Sequence, residues 1–256
     1  DPYGSGVRTI WWVYGVGPVK IVFQHAGGTG APVTTAVLQS TNQQPQAPPP
    51  DPNYFPMTVG LKGTYSWTNT KYFSKPEVEK FSIDQAANGT AIAKVSSVSG
   101  PMKVAGAYQF TTRLDGVTSV SSATKAASLA KLPSLGPKSL PSTRRRHFFT
   151  PFDLMTFGFN PVIPAYPVAG NAWSSDPASR DFAVYGVNGS TRIVGVQTVT
   201  VPKGTYKALL VTSKLTQPGF KFGSGTRTMW FAPDIGLVKL VFKHADGSVS
   251  TVVLAK

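Results

Sequence analysis

The chain is predicted to be an all-β protein with minor helical content, built on antiparallel strands. Three observations predict it. Short runs along most of the chain alternate apolar and polar residues with a period of two, the pattern of a half-buried strand. Those runs are punctuated by 25 glycines and 22 prolines among 256 residues, which leaves little room for long helices. A strand-like segment also occurs twice, once near each end of the chain.

In chain order, the first such segment is GSGVRTIWWVYGVGPVKIVFQHAGGT, from Gly4. Val19, Ile21, Phe23 and His25 share one parity, and Lys20 and Gln24 take the other, with Gly27-Gly28 supplying a turn. Residues 41–56 (TNQQPQAPPPDPNYFP) read as a polar, proline-rich linker that favours extended polyproline geometry. Strands are then expected at Gly63–Thr70, Val78–Asp84, Thr90–Val98 and Lys103–Arg113, with Asn88-Gly89 as a hairpin turn. Ala123–Leu132 (ATKAASLAKL) has the alanine and leucine content of a helix. From Leu135 to Asn171 the chain is dense in proline and aromatic residues; it reads as a packed, irregular segment or lid across the open face of the sheet. Asn188-Gly189 signals a second hairpin turn, followed by strands at Arg192–Val201, Thr205–Leu215, Arg227–Ala232, Leu237–His244 and Val249–Leu254.

The second copy of the repeat, GSGTRTMWFAPDIGLVKLVFKHADGS from Gly223, closes this series. Trp230 follows Trp11, and His244 follows His25, by the same 219 positions. Beyond it VSTVVL from Val249 matches VTTAVL from Val33, once Gly30, Ala31 and Pro32 are taken as an insertion. The repeat divides the chain into terminal strands of a preceding repeat (1–40), a linker (41–53) and a main domain (54–256). Because an isolated hairpin is marginal in water, the first copy must dock on the main domain or pair with another chain.

Composition excludes several chemistries. With no cysteine there are no disulfides, thiolate nucleophiles or cysteine-held metals, and three widely spaced histidines do not make a metal site. No metal or other cofactor is expected. No apolar run reaches the ~18–20 residues of a membrane helix. The net charge of +14 favours anionic partners, lipid headgroups or acidic polysaccharide among them. The basic residues are mostly single and spread along strands, with Arg144, Arg145 and Arg146 the one contiguous run. No helix, finger or aromatic-basic signature accompanies them, so nucleic acid is not expected as a partner.

Three motifs carry a family resemblance. NYFPMTVGLKGTYSW (Asn53–Trp67), VPKGTYKALLVTS (Val201–Ser213) and TMWFAPDIGLVKLVF (Thr228–Phe242) resemble conserved strands and turns of secreted bacterial proteins of unknown function. These are similar to the lipoprotein-carrier (LolA/LolB-like) superfamily. The chain departs from that pattern at Gly63, where a tryptophan is usual, and it has no cysteine to lipidate. The resemblance implies a strongly curved antiparallel sheet, a half-barrel, closed on its concave side by a helix or lid. It also implies a secreted or cell-envelope location, any signal peptide lying outside this chain.

Candidate functional residues follow from the same reading. His25 and His244 hold equivalent strand-end positions, at the mouths of two equivalent cavities or as imidazoles satisfying turn carbonyls. His147, with Arg146, Asp153 and Tyr166 near it in sequence, is the best candidate for a general base or anion-binding cluster. Arg144, Arg145, Arg146, Phe148, Phe149, Tyr166 and Trp12 complete the expected binding set. Trp11 and Trp230 are expected to share a core position, and Trp12 and Phe231 place aromatics on the opposite face. No G-x-S-x-G elbow or phosphate-binding loop is present, and the acids, Asp176 and Asp181 among them, are scattered. Asn88 and Asn188 each begin an N-x-[ST] pattern that turn chemistry also explains. The leading expectation is a binding protein that holds an amphiphilic or anionic envelope ligand in the concave face. The alternatives are an extracellular polymer-degrading lyase or atypical hydrolase, and an assembly protein adding its strands Arg8–Leu38 to a neighbour.

Overall fold

The computed structural model describes residues 4–13, 16–27, 29–43, 52–128, 132–135, 147–159, 161–174 and 187–256. The chain forms two units, Asp1–Asp51 and Pro52–Lys256. Unit 1 is a three-stranded antiparallel sheet in the order β1 (Gly6–Val13), β2 (Gly17–His25), β3 (Val33–Val37).

Among its described residues, unit 2 is all-β apart from one short helix and a 3-10 turn at Lys221–Gly223. Five strands come first: β4 (Lys62–Asn69), β5 (Glu77–Ala87), β6 (Thr90–Ser99), β7 (Val104–Arg113) and β8 (Gly116–Ala126). The helix α1 (Pro151–Thr156) and two short strands, β9 (Ile163–Pro164) and β10 (Ala172–Ser174), follow. The chain ends in β11 (Asn188–Val201), β12 (Gly204–Thr216), β13 (Gly225–Ala232), β14 (Gly236–His244) and β15 (Val249–Leu254). All twelve strands form one antiparallel sheet in the order β10-β11-β12-β13-β14-β15-β4-β5-β6-β7-β8-β9. Every pair of neighbouring strands is consecutive in the chain, except β15 and β4 and the edge pairs that involve β9 and β10 only through the order given.

That order forces the sheet to curl. Laid flat, twelve strands at ~4.8 Å spacing would span about 50 Å. The chain crosses from one edge at Pro164 to the other at Ala172 in eight steps, a reach of at most about 28 Å. The edges are bridged by a side chain and not by a ladder: the Trp173 indole donates to the Pro161 carbonyl at 3.0 Å. The sheet is therefore open but strongly curved. Its inward-facing residues, from β9 at one edge to β11 near the other, belong to one core cluster.

The proline-aromatic segment fills this core. Thr150 caps α1 in a capping box with Asp153, and Pro151 occupies the first turn. All six helical residues are buried. Phe152 inserts among Tyr65, Phe81, Tyr108 and Phe110, with ring centroids 5.2–6.1 Å away. Phe148 packs on Phe157, Phe222 and Phe242.

Three sequence expectations fail here. The helix expected at Ala123–Leu132 is a strand through Ala126, its ladder running to Val104↔Ala126; pairing with β7 overrides alanine propensity. Asn188-Gly189 is not a turn but the start of β11, where Gly189 lies so close to β12 that a Cβ would sit 2.0 Å from the Lys214 carbonyl. The glycine serves a close backbone approach. Trp11 and Trp230 are not core residues: Trp11 is exposed and Trp230 half-buried, each with a lysine over its ring. Asn88-Gly89 is the turn expected, both residues at positive φ between the paired Ala87 and Thr90.

Candidate functional site

Two places in unit 2 concentrate polar chemistry, one inside the curl and one on its outer face. On the inside, His244 ends β14 with its ring between Phe222 and Phe242, at centroid distances of 4.2 and 4.1 Å. Its Nδ1 lies 2.6 Å from the Phe222 carbonyl, and its Nε2 lies 2.8 Å from Ser250 Oγ. A carbonyl only accepts, so Nδ1 carries the proton and Nε2 accepts from the serine hydroxyl. Burial pushes the imidazole down to about 4, which keeps it neutral near pH 7.

Arg227 on β13 is fully buried. Its guanidinium donates to the carbonyls of Leu154 at 2.6 Å and Phe157 at 2.9 Å, the last turn of α1, and sits 5.4 Å from the Phe159 ring. Burial lowers it to about 9, so it remains a cation, where the helix's C-terminal carbonyls favour one. Glu77 accepts from the Met102 amide at 2.8 Å and from the Ser97 hydroxyl. Glu79, equally buried, has neither oxygen hydrogen-bonded among the described residues. Burial first, then the neighbouring Glu77 and Asp153, hold its carboxyl well above the usual range. Of these groups Arg227 ties the helix to the sheet, and all four side chains are buried.

Of the expected His147 cluster, the structure describes His147, Asp153 and Tyr166, and Arg146 lies outside the described residues. His147 is buried, its Nδ1 3.1 Å from the Pro133 carbonyl. Asp153 accepts the amides of Phe149 and Thr150 in the capping box, and Tyr166 is 72% exposed. Phe148 is a core residue and Phe149 packs partly against the core. Arg144, Arg145 and Arg146 lie outside the described residues, as do Asp176 and Asp181. In unit 1, His25 is buried with its Nε2 2.7 Å from Thr34 Oγ1, and Trp12 is 68% exposed.

On the concave side, the described residues leave a narrow apolar space. An apolar cleft of about 30 Å³ lies beside Phe55, Tyr65, Phe110 and Phe152. That is room for one or two waters, against the ~300–1,000 Å³ of a ligand pocket. Phe152 and Met155 of the proline-aromatic segment line this cleft.

The outer face of β4–β7 carries a groove of about 740 Å³. Strand register builds it. Lys62, Ser82 and Lys94 lie in one cross-strand row, and Thr64, Lys80, Ser96 and Ala105 in the next. Between them runs the row Gly63, Phe81, Val95, Gly106, with a glycine at each end. Lys203, in the turn joining β11 to β12, and Lys256 complete the lining. The Lys203 amide reaches the Leu254 carbonyl at 3.2 Å, and the Lys256 carbonyl accepts from the Thr64 amide at 2.9 Å. Asp84 pairs with Lys94 at 2.8 Å, both partly exposed, and hydrogen bonds from Lys94 and Ser82 lower its carboxyl. Five lysines thus line the groove among small hydroxyl side chains, and one of them, Lys94, is paired with Asp84. Sequence reasoning missed this set because its members are far apart in the chain. The available signal was outward parity: Lys62, Lys80 and Lys94 all sit on the solvent side of their strands.

No described helix is long and apolar enough to cross a membrane. No family model matches the chain, and no curated protein matches it. The solved structures that resemble it include the following two. One is a candidate exported protein with a YmcC-like fold from Bacteroides fragilis: TM-score 0.37, 14% identity, 79% of this chain and 97% of that one covered. The other is a candidate lipoprotein from Parabacteroides distasonis: TM-score 0.36, 12% identity, 80% of this chain and 98% of that one covered.

Proposed function

We propose that unit 2 is an extracytoplasmic binding module that holds an anionic envelope polymer, or the anionic head of an envelope amphiphile, on the outer face of its sheet. The five-lysine groove carries this reading. Lys62, Lys80, Lys94, Lys203 and Lys256 line a space of about 740 Å³, large enough for one or two sugar rings or a headgroup. Ser82, Ser96 and Thr64 supply neutral hydrogen-bonding groups between the charges. The ligand is not placed inside the curl, where aromatic side chains occupy the volume. The extracytoplasmic location rests on the resemblance of Asn53–Trp67, Val201–Ser213 and Thr228–Phe242 to secreted proteins.

Calorimetric titration with polygalacturonate, beside neutral dextran and duplex DNA, tests this. The acidic polysaccharide binds and dextran does not. The triple substitution Lys62→Gln, Lys80→Gln, Lys94→Gln lowers affinity by at least about tenfold, and raising salt weakens what remains, because exposed charge pairs are screened. Unchanged affinity in the triple variant removes the groove from the account. Equal or tighter binding of duplex DNA makes the surface a general polyanion site and overturns the envelope assignment.

A further inference from the structure

Residues 6–38 repeat the last three strands of unit 2 in structure as well as in sequence. All eight residue pairs of β1 with β2 recur between β13 and β14, from Gly6↔His25 and Gly225↔His244 onward. The irregularity falls at the same place, between Trp11 and Trp12 and between Trp230 and Phe231. A Cβ on Gly6 would lie 2.1 Å from the Gln24 carbonyl, and one on Gly225 would lie 2.0 Å from that of Lys243. Each copy ties its strand-end histidine to a hydroxyl on the third strand.

The copies differ in what surrounds them. In unit 2, β13 pairs with β12, β15 pairs with β4, and α1 covers the inner face. Among the described residues, the sheet of unit 1 ends at β1 and β3, with no fourth strand beside them. Arg227 is fully buried under α1, whereas the matching Arg8 is exposed. Phe231 is fully buried and Leu254 nearly so; their counterparts Trp12 and Leu38 are 68% and 42% exposed. An arginine, an aromatic residue and a leucine spaced for a core, on a sheet with two free edges, are the footprint of an absent remainder.

We infer that residues 6–38 close a second curled sheet of the same kind, whose other strands precede residue 1 in the same polypeptide. Unit 2 itself shows what is needed: a β12-like strand beside β1, a β4-like strand beside β3, and helix-end carbonyls for Arg8. A second copy of this chain cannot supply these without losing its own strands, because its β12 and β4 edges already hold β13 and β15. Chain order points the same way, since every complementary element of unit 2 lies N-terminal to β13. The protein is thereby a tandem array in which each sheet is completed by the strands just before the next linker.

Hydrogen exchange on the polypeptide extended upstream to its natural start, beside the 256-residue chain, tests this. In the longer protein, peptides covering 6–13 and 33–38 exchange on the order of a hundredfold more slowly. Arg8→Ala reverses much of that protection and leaves peptides from 225–254 unchanged, while Trp12→Ala weakens it by a smaller factor. Unchanged exchange in the longer protein overturns the inference, as does a coding sequence with no strand-rich stretch upstream. Protection already present in the 256-residue chain, together with a dimeric mass, overturns it in favour of a second copy.

Discussion

Arg8 and Arg227 occupy the same position in two copies of one strand, and only the second is buried. The hairpins around them share register, bulge, glycine and histidine contact, so those features belong to the strands themselves. Burial of the arginine and its helix contact belong to the nine strands and the helix that unit 2 adds. A repeated sequence can therefore carry identical local geometry and opposite energetics, and substitutions made in pairs should separate the two contributions.

The arginine pair is expected to show the widest gap. Arg227→Ala strips two α1 carbonyls of their donor and leaves a void beneath the helix, at a cost of about 3 kcal/mol or more. Arg8→Ala in the same 256-residue chain should stay within about 0.5 kcal/mol, as surface changes do. Urea unfolding of both variants measures the difference. Comparable losses would mean that Arg8 is held by a structure of its own.

Histidine 244 gives the next effect and a pH signature. Its folded-state value of about 4 lies below the ordinary 6.5, so below pH 6.5 the unfolded chain takes up a proton that the folded one refuses. The contribution of His244 is thus intact above pH 6.5 and is lost as pH falls toward 4, a drop of roughly 3 kcal/mol. Stability measured between pH 7.5 and 4 should fall less steeply in His244→Gln than in the parent. An equally steep fall would assign the acid sensitivity to other groups.

Smaller still is the glycine pair. Gly225 at φ +140° and Gly6 at φ +146° both admit a neighbouring carbonyl where a Cβ would sit. Alanine at 225 should cost about 1–3 kcal/mol of unit 2 stability. Alanine at 6 should disturb unit 1 and leave the unfolding midpoint of unit 2 in place. Circular dichroism melts of the two variants distinguish these outcomes.

Much of the strand pattern was legible because alternation is local. Val249–Leu254 was read to the residue, and Leu237–His244 to within one position of β14. The failures occurred where a distant partner decides. Ala123–Ala126 has helical composition but lies opposite Val104–Ala107, and the ladder prevails. The helix that does form was written in plain signals, Thr150-Pro151 followed by Asp153, in a stretch set aside as irregular. The groove was the least legible feature: Lys62, Lys80, Lys94, Lys203 and Lys256 meet only after two hairpin ladders and the β15–β4 pairing have formed. Net charge announced that anions would be attracted, but only the register shows where the charges converge.

Hydrogen exchange of the 256-residue chain, read at two matched peptides, tests the central comparison most directly. Residues 225–232 should exchange only through global unfolding of unit 2, whereas residues 6–13, whose sequence and register are nearly the same, should exchange faster by orders of magnitude. Equal protection of the two strands would contradict the account, because it would mean that the first copy is already complete.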